Sequence, residues 1–427
     1  MLTFNDEYIP TKIRKAITGT KYQKSVDDIL KKIKLKTLPG VEMLGWVDLI
    51  TNYNNHLLTL MHQKAKQWQN MKLDYVLVIG IGGSYVGVKA GVDFCTQPFD
   101  QSKPKIIWVS NISATFLCSL QQMLAKKQFA IIATSRSGTT LEPALAFHLF
   151  REQLEKQVGV KSATKLITVI TSDTNSNLYK LAKNKKYTIF PIPADVGGRF
   201  STLSPVGMFP MMIKNIDALA LIRGASQALK DTKNRLVSSN SAFRYACYRH
   251  YFRTKLKLQI ENFIVYDPNL VFCGEMWRQI FGESEGKENK GLFPTLQLFT
   301  TDLHSMGQYL QEGTRNFFET TLLVEKPLLD TKLKITSDID KLHYLNNRSL
   351  DFINKKAFEG TVVAHSKLGK SYNLIINLTT TDSYHFGYLF IWLAMAVTIS
   401  GYLLKINPFN QPGVEAYKKN MQILLKK

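Results

Sequence analysis

A chain of 427 residues, 45% hydrophobic and 21% charged, with 25 glycines and 14 prolines, is long enough for two or three domains and a large core, which excludes collagen-like and low-complexity classes. Lys and Arg outnumber Asp and Glu by 55 to 33, a net +22; the basic residues fall in short clusters such as Lys31, Lys32, Lys34 and Lys36, with no long basic tract and no zinc-finger or RNP-type signature. The excess therefore reads as a solvated, lysine-rich surface rather than a nucleic-acid interface, and its field still attracts an anionic substrate.

The N-terminus carries Asp6 and Glu7 and does not read as a signal peptide. Residues 1–74 read as amphipathic helices with Lys-rich polar faces. Tyr75-Val-Leu-Val-Ile-Gly80 is a short apolar run closed by glycine, the pattern of a buried parallel strand. Further strands are predicted at 106–109, 130–133, 166–170 and 188–192, separated at first by helices at 85–94, 114–125 and 141–157. This alternation predicts an α/β fold with a doubly wound parallel sheet. The second half is less regular, with strands at 262–266, 321–324 and 373–378 and helices at 218–229, 241–256, 382–404 and 412–425. A second α/β unit is the economical reading, giving a helical segment 1–74, a first domain 75–205 and a second domain 206–427. Residues 386–404 carry no charge and are long enough to cross a bilayer. They come late, after a soluble α/β pattern, and include Gly387, Thr398, Ser400 and Gly401, so a core or subunit-interface helix is expected. Cys95, Cys118, Cys247 and Cys273 are scattered without C-x-x-C spacing, which excludes a disulfide scaffold and fits the reducing cytoplasm.

Six segments carry chemistry. Gly80-Ile81-Gly82-Gly83-Ser84 joins a strand to a helix; its glycines admit a ligand to the backbone, and the helix N-terminus offers free N–H groups. Tyr85 replaces the third glycine of a dinucleotide fingerprint, and Ser110 and Asn111 follow the next strand where a ribose-binding acid belongs, so a smaller oxygen-rich ligand or a plain tight turn fits better. Thr134-Ser-Arg-Ser-Gly-Thr-Thr-Leu-Glu142-Pro143 follows the next strand but one. Its hydroxyls at Ser135, Ser137, Thr139 and Thr140, the charge of Arg136 and the following helix dipole make a phosphate cradle. Thr139 and Glu142 have capping-box spacing. The absence of Gly-Lys-Ser/Thr argues for a phosphomonoester rather than a nucleoside triphosphate.

In Asp195-Val-Gly-Gly-Arg199-Phe-Ser201 two glycines let Arg199 stand close to a backbone or ligand, where a permanently charged guanidinium stabilises an oxyanion. A structural arginine tying two loops is the equal alternative. Gln279-Ile-Phe-Gly-Glu283-Ser-Glu-Gly-Lys287 places Glu283 at a helix boundary near Gly282. His304, in Thr301-Asp-Leu-His304, has no second histidine at metal-ligand spacing. Gln411 and Lys418 lie seven apart in Phe409-Asn-Gln411-Pro-Gly-Val-Glu-Ala-Tyr-Lys418, so both can face one side of a helix.

In order, these segments resemble the phosphoglucose isomerase family in its shorter bacterial form, from about residue 45 to the C-terminus; Gly197-Gly-Arg-Phe-Ser201 and the stretch 409–418 are the most specific pieces. The resemblance implies two sugar-isomerase (SIS-type) domains with extra helices, assembled as a homodimer whose sites lie at the domain and subunit boundary. It implies Glu283 as the base moving a proton between C2 and C1, Arg199 as the stabiliser of the enediolate, and His304 and Lys418 as the ring-opening pair, the histidine coming from the partner subunit. Gln279, Gln411, Ser84, Ser135, Ser137 and Thr140 match substrate contacts, and Arg136 stands where the family often has lysine. Glucose 6-phosphate and fructose 6-phosphate are the implied substrates, with no cofactor, metal, nucleic acid or membrane required. The rival readings are a sugar-phosphate-binding regulator, for which Glu283, His304 and Lys418 are dispensable, and a nicotinamide dehydrogenase, disfavoured by Tyr85.

Overall fold

The computed structural model describes every residue except Met1, Ser137, Thr139, Asp173 and Lys427. Among the described residues ten strands build two five-stranded sheets: β1 Leu2–Asn5, β2 Tyr75–Ile79, β3 Lys105–Val109, β4 Phe129–Thr134, β5 Ile167–Thr171, β6 Thr188–Pro191, β7 Ile260–Val265, β8 Phe293–Leu298, β9 Phe317–Val324 and β10 Asn373–Leu378. The first sheet is ordered β3-β2-β4-β5-β6 and is parallel throughout. Its inner strands are mostly apolar, and β4 and β5 are buried at every position, Thr134, Thr168 and Thr171 included, as a sheet covered by helices on both faces requires.

Strand order decides where a ligand can sit. The chain leaves β2 for β3 on one side and then crosses back to β4 on the other. The carboxyl ends of β2 and β4 therefore flank the crevice where the order reverses, the position at which open α/β sheets take ligands. Gly80 to Ser84 follow β2, and Ser135 to Thr140 follow β4. The two loops that read as ligand-binding thus stand at the two lips of one crevice.

The second sheet is ordered β1-β10-β9-β7-β8, with β1 antiparallel to β10 and the rest parallel. With β1 set aside, it repeats the order of the first: its earliest strand, β7, lies between the second and third. The equivalent crevice, between the ends of β7 and β9, opens into a cavity of about 740 Å³ lined by Asp267, Glu325, Asp330, Asp351, Glu359 and Lys355 among others.

Two strands escape sequence reading. β1 lies in the segment expected to be wholly helical. Leu2 and Phe4 are buried and Thr3 is exposed, a period of two too short to register, and Phe4 packs 5.9 Å from the Tyr245 ring. β8 contains Pro294 and leaves Phe293 67% exposed; it is an edge strand, where a missing ladder donor is tolerated. Helices Pro205–Ile213, Leu303–Glu312 and Leu350–Val363 are further additions.

The charge-free stretch forms helix Ser383–Leu403, and it is buried in the protein core, as expected of a core helix. It packs on helix Ala218–Asp231 so closely that a Cβ at Gly387 would lie 2.0 Å from Leu221 O, and one at Gly224 1.8 Å from Tyr384 O. Only glycine at both positions lets the two backbones meet. A buried charge network lies beside this core. Arg249, on helix Ser241–Thr254, pairs with Glu261 on β7 and with Glu285 at 2.8 Å, and stands 3.9 Å over the Phe281 ring. Charges so deeply buried persist only when paired. This network fastens the second sheet to the last turn of helix Val271–Glu285, which carries Glu283. The four cysteines are unpaired.

Candidate active site

Arg199 lies in the short turn Gly198–Phe200 and is 3% exposed. Its neighbour Phe200 is clamped between Trp46, stacked at 5.8 Å, and Phe409 at 5.3 Å, which fixes the turn. The guanidinium is then spent on four hydrogen bonds: Nε donates to Ser284 Oγ (2.7 Å), Nη1 to Gln411 Oε1 (3.0 Å), and Nη2 to Pro408 O (2.6 Å) and Asn410 O (3.3 Å). It joins loops, as the structural alternative held, and it also meets a carboxylate: Nη1 lies 3.4 Å from Glu283 Oε1. Burial pulls the Arg199 pKa below its usual range while Glu283 opposes that shift. The closest approach in this region is made not by the two glycines beside Arg199 but by Gly83, where an added Cβ would lie 2.0 Å from Gly198 O. The turn after β2 is thereby pressed onto the Arg199 turn.

Glu283 sits inside the last turn of helix Val271–Glu285 rather than beyond its end. One helical turn earlier, Gln279 Nε2 donates to Glu283 Oε2 at 3.1 Å. The Glu283 side chain is 22% exposed against 1% for Arg199, so the carboxylate has an open side and the guanidinium has none. Gln279 faces the first turn: a Cβ on Gly82 would lie 3.2 Å from its Nε2. A cleft of about 1080 Å³ runs along this helix, lined by Gly82, Gln279, Arg278, Arg253 and Lys290. Ser84 is half-buried in the same turn.

The loop after β4 is braced from within. Ser135 Oγ accepts from Gly138 N at 3.0 Å, and Ser172 Oγ donates to Arg136 O at 3.0 Å. The Arg136 side chain is exposed. Helix Leu141–Val158 is capped at Thr140, one residue later than the capping-box spacing predicts, and the Thr140 side chain makes no cap hydrogen bond. Among the described residues that hydroxyl is left for a ligand. A cavity of about 210 Å³ adjoins the loop, between Ser135, Gly138 and Thr140 on one side and Phe147, Arg151 and Leu178 on the other. Ser137 and Thr139 lie outside the described residues.

Gln411 and Lys418 do not share a helix face. Gln411 precedes the short turn Pro412–Val414, and Lys418 lies on helix Glu415–Leu425, paired with Glu415 at 3.1 Å. Gln411 is drawn back to Arg199 because Phe409 is buried against Phe200. His304 is exposed on helix Leu303–Glu312, and its side chain is not among the hydrogen-bond partners of Arg199 or Glu283. One chain therefore brings together Arg199, Glu283, Gln279 and Gln411, with the turn holding Ser84 against them, and leaves His304 exposed and Lys418 half-buried beside Glu415, outside that group.

Ser284 and Lys287 are the site residues that the sequence reading passes over. Lys287 Nζ donates to Asn407 O (2.5 Å) and Asn410 Oδ1 (2.9 Å), in the loop that Arg199 also holds. Burial and the nearby Arg199 push its pKa down to about 8, against the opposing pull of Glu283, Glu288 and Glu285. The available signal was a lysine just past a helix C-terminus, where a cation meets the last carbonyls.

Comparison with known proteins bears on this site. The family model described as phosphoglucose isomerase matches residues 45–319. A glucose-6-phosphate isomerase of Mycoplasmopsis pulmonis is 43% identical over 409 residues, covering 95% of each chain. A crystal structure of a hypothetical protein from Thermus thermophilus superposes with a TM-score of 0.90 at 26% identity, covering 100% of both chains. The crystal structure of a glucose-6-phosphate isomerase from Chlamydia trachomatis gives a TM-score of 0.81 at 20% identity, covering 100% of this chain and 88% of that one, a likeness of fold.

Proposed function

The chain belongs to the phosphoglucose isomerase family, and from that premise we propose that Glu283 is the base that carries a proton between C2 and C1 of its substrate. The activity is the reversible aldose–ketose isomerisation of glucose 6-phosphate and fructose 6-phosphate, a step of glycolysis and gluconeogenesis. The observation that carries the assignment is the 3.4 Å approach of Arg199 Nη1 to Glu283 Oε1, beside the glycine turn that follows β2.

The C2–H of an open-chain aldose is a weak acid. A carboxylate removes it only if the negative charge arriving on the C1 oxygen is stabilised at once. The Glu283 carboxylate takes the proton, the C2–H pair becomes the C1–C2 double bond, and the C1 carbonyl becomes an enediolate oxygen. Arg199, immobilised by its hydrogen bonds to Ser284, Gln411, Pro408 and Asn410, needs no reorganisation to meet that charge. Return of the proton to C1, with transfer between the two oxygens, yields the ketose. Gln279 orients the carboxylate. Ser84, Ser135, Arg136, Ser137 and Thr140 take the phosphate and sugar hydroxyls.

Ring opening falls to His304 and Lys418 in this reading, with His304 supplied across a homodimer interface. The exposure of His304 supports that arrangement, as does the solvent-facing helix Glu415–Leu425, whose Tyr417, Ile423, Leu424 and Leu425 are about half or more uncovered in one chain. The same reading divides the chain into an N-terminal segment 1–74, helical apart from β1, and sugar-isomerase domains 75–205 and 206–427, and puts it in the cytoplasm, in keeping with four unpaired cysteines.

The experiment is complementation. Glu283→Gln and His304→Ala proteins, each nearly inactive, are unfolded, mixed and refolded together. If His304 serves the partner's site, half of the dimers are mixed and each holds one intact site, returning about a quarter of wild-type activity. Recovery no greater than the parents would sink the shared site, and full turnover by Glu283→Gln would sink the base assignment.

A further inference from the structure

Two cations hold the loop 407–411, and the reaction chemistry accounts for only one. Arg199 grips it through Pro408 O, Asn410 O and Gln411 Oε1. Lys287 grips it from the other end through Asn407 O and Asn410 Oδ1. Between them the loop folds on itself, Phe409 N donating to Asn407 Oδ1 at 2.9 Å, while the Phe409 ring packs against Phe200 and Tyr402.

The placement of Lys287 matters more than its bonds alone. It stands two residues beyond helix Val271–Glu285, so a stretch of five residues supplies Glu283, Ser284, which receives Arg199 Nε, and Lys287. The contacts form a closed circuit: Glu283 to Arg199, Arg199 to Gln411, and Asn410 and Asn407 to Lys287, which returns to Glu283 along the backbone. Among the described residues Lys287 has no carboxylate within ion-pair distance. A half-buried ammonium beside a buried guanidinium, hydrogen-bonded to an amide oxygen and a carbonyl and reached by Glu283, Glu288 and Glu285 only at longer range, is in a place that an apolar side chain would occupy at less cost.

We propose that Lys287 is a positioning residue of the isomerisation: it latches the loop 407–411 to the end of the Glu283 helix, and so fixes Gln411 and the Arg199 guanidinium against the carboxylate. The inference rests on the assignment of Arg199 and Glu283 as the reacting pair. Arg199 must be aimed before charge develops, and a loop free to drift by an ångström would let the guanidinium follow Pro408 and Asn410 away from the substrate.

The test is Lys287→Met, which keeps an unbranched side chain and removes the charge and both donors. Losing a charge-assisted hydrogen bond corresponds to about 10- to 100-fold, expected in kcat with KM for glucose 6-phosphate little changed, because the substrate itself is not touched. Lys287→Arg, retaining charge and donors, recovers part of the loss. Asn410→Leu cuts the same latch from the loop side and lowers kcat in the same way. The double variant falls no further than the more damaging single one, since both remove one interaction. A purely structural role would move thermal stability and leave kcat intact. Wild-type kcat in Lys287→Met, or in Asn410→Leu should the first variant fail to fold, beside an inactive Glu283→Gln control, overturns the latch alone. A fully active Glu283→Gln control would instead refute the site assignment beneath it.

Discussion

Replacing Glu283 with glutamine separates shape from basicity. The carboxamide has the same outline but one oxygen where the carboxylate has two: Gln279 Nε2 donates to Oε2 at 3.1 Å and Arg199 Nη1 lies 3.4 Å from Oε1, so the amide oxygen keeps one of these partners and its NH2 faces the other. What disappears is the basicity that takes the C2 proton. A general base contributes about 10²–10⁴-fold, or roughly 3–5 kcal/mol of barrier. The stability cost is smaller. Breaking a buried ion pair costs about 3–5 kcal/mol, but this one is long, its carboxylate is 22% exposed, and Arg199 keeps four hydrogen bonds. About 1–2 kcal/mol is the expected loss, too little to unfold the chain. Turnover should therefore fall by two to four orders of magnitude, while calorimetric binding of a non-isomerisable hexitol 6-phosphate stays within a few-fold. The decisive assay is exchange of solvent tritium into C1 and C2 of the sugar. Exchange at the wild-type rate in the glutamine variant would refute the proton-carrier role however the overall kinetics looked.

The other predictions concern the rest of the site and the stability of the fold. His304→Ala should be hurt more on cyclic than on open-chain substrate, measured by stopped-flow with freshly opened sugar phosphate; equal losses would remove it from ring opening. Arg136→Ala, whose side chain is exposed at the crevice, should raise KM for the phosphorylated sugar with kcat nearly unchanged, and a pure kcat effect would move it out of the phosphate loop. His250 accepts or donates a hydrogen bond with Tyr22 OH at 2.9 Å, and burial lowers its pKa from 6.5 to about 4. Between those values the unfolded chain holds a proton that the folded imidazole refuses, so its stabilising effect is complete above pH 6.5 and is lost as pH falls toward 4. Urea midpoints at about pH 5 and about pH 7 should differ less in His250→Gln than in the wild type, and an unchanged difference would contradict the shift.

Apolar runs made the central strands legible. β2 and β4 are nearly unbroken, and β5 is broken only by threonine, because helices cover both faces of a parallel sheet, and the strand–loop–helix order put the Gly80 and Ser135 loops at strand ends. β1 and β8 were hidden by the opposite circumstance: one has four residues, and the other is an edge with a proline. The site divides along similar lines. Arg199 and Glu283 carry their chemistry in their side chains and stand in glycine-marked segments, so the sequence exposes them. Lys287 does not, because its meaning lies in Asn407 and Asn410, which are 120 and 123 residues away. Gln411 is misplaced by sequence spacing for a related reason. An imagined helix sets it beside Lys418, whereas burial of Phe409 bends the chain before the helix begins.

The two halves of this molecule share a strand order but not an electrical character. Where the first half ends its strands in glycine and hydroxyl groups, the corresponding mouth of the second gathers Asp267, Glu325, Asp330, Asp351 and Glu359, with Lys355 paired to Asp351 and Lys356 to Glu359. A dianionic sugar ester approaching that mouth meets repulsion, whatever the backbone geometry invites. On the proposed assignment the doubled scaffold holds one seat for phosphate, and titration to saturation should count a single hexose ester for every polypeptide.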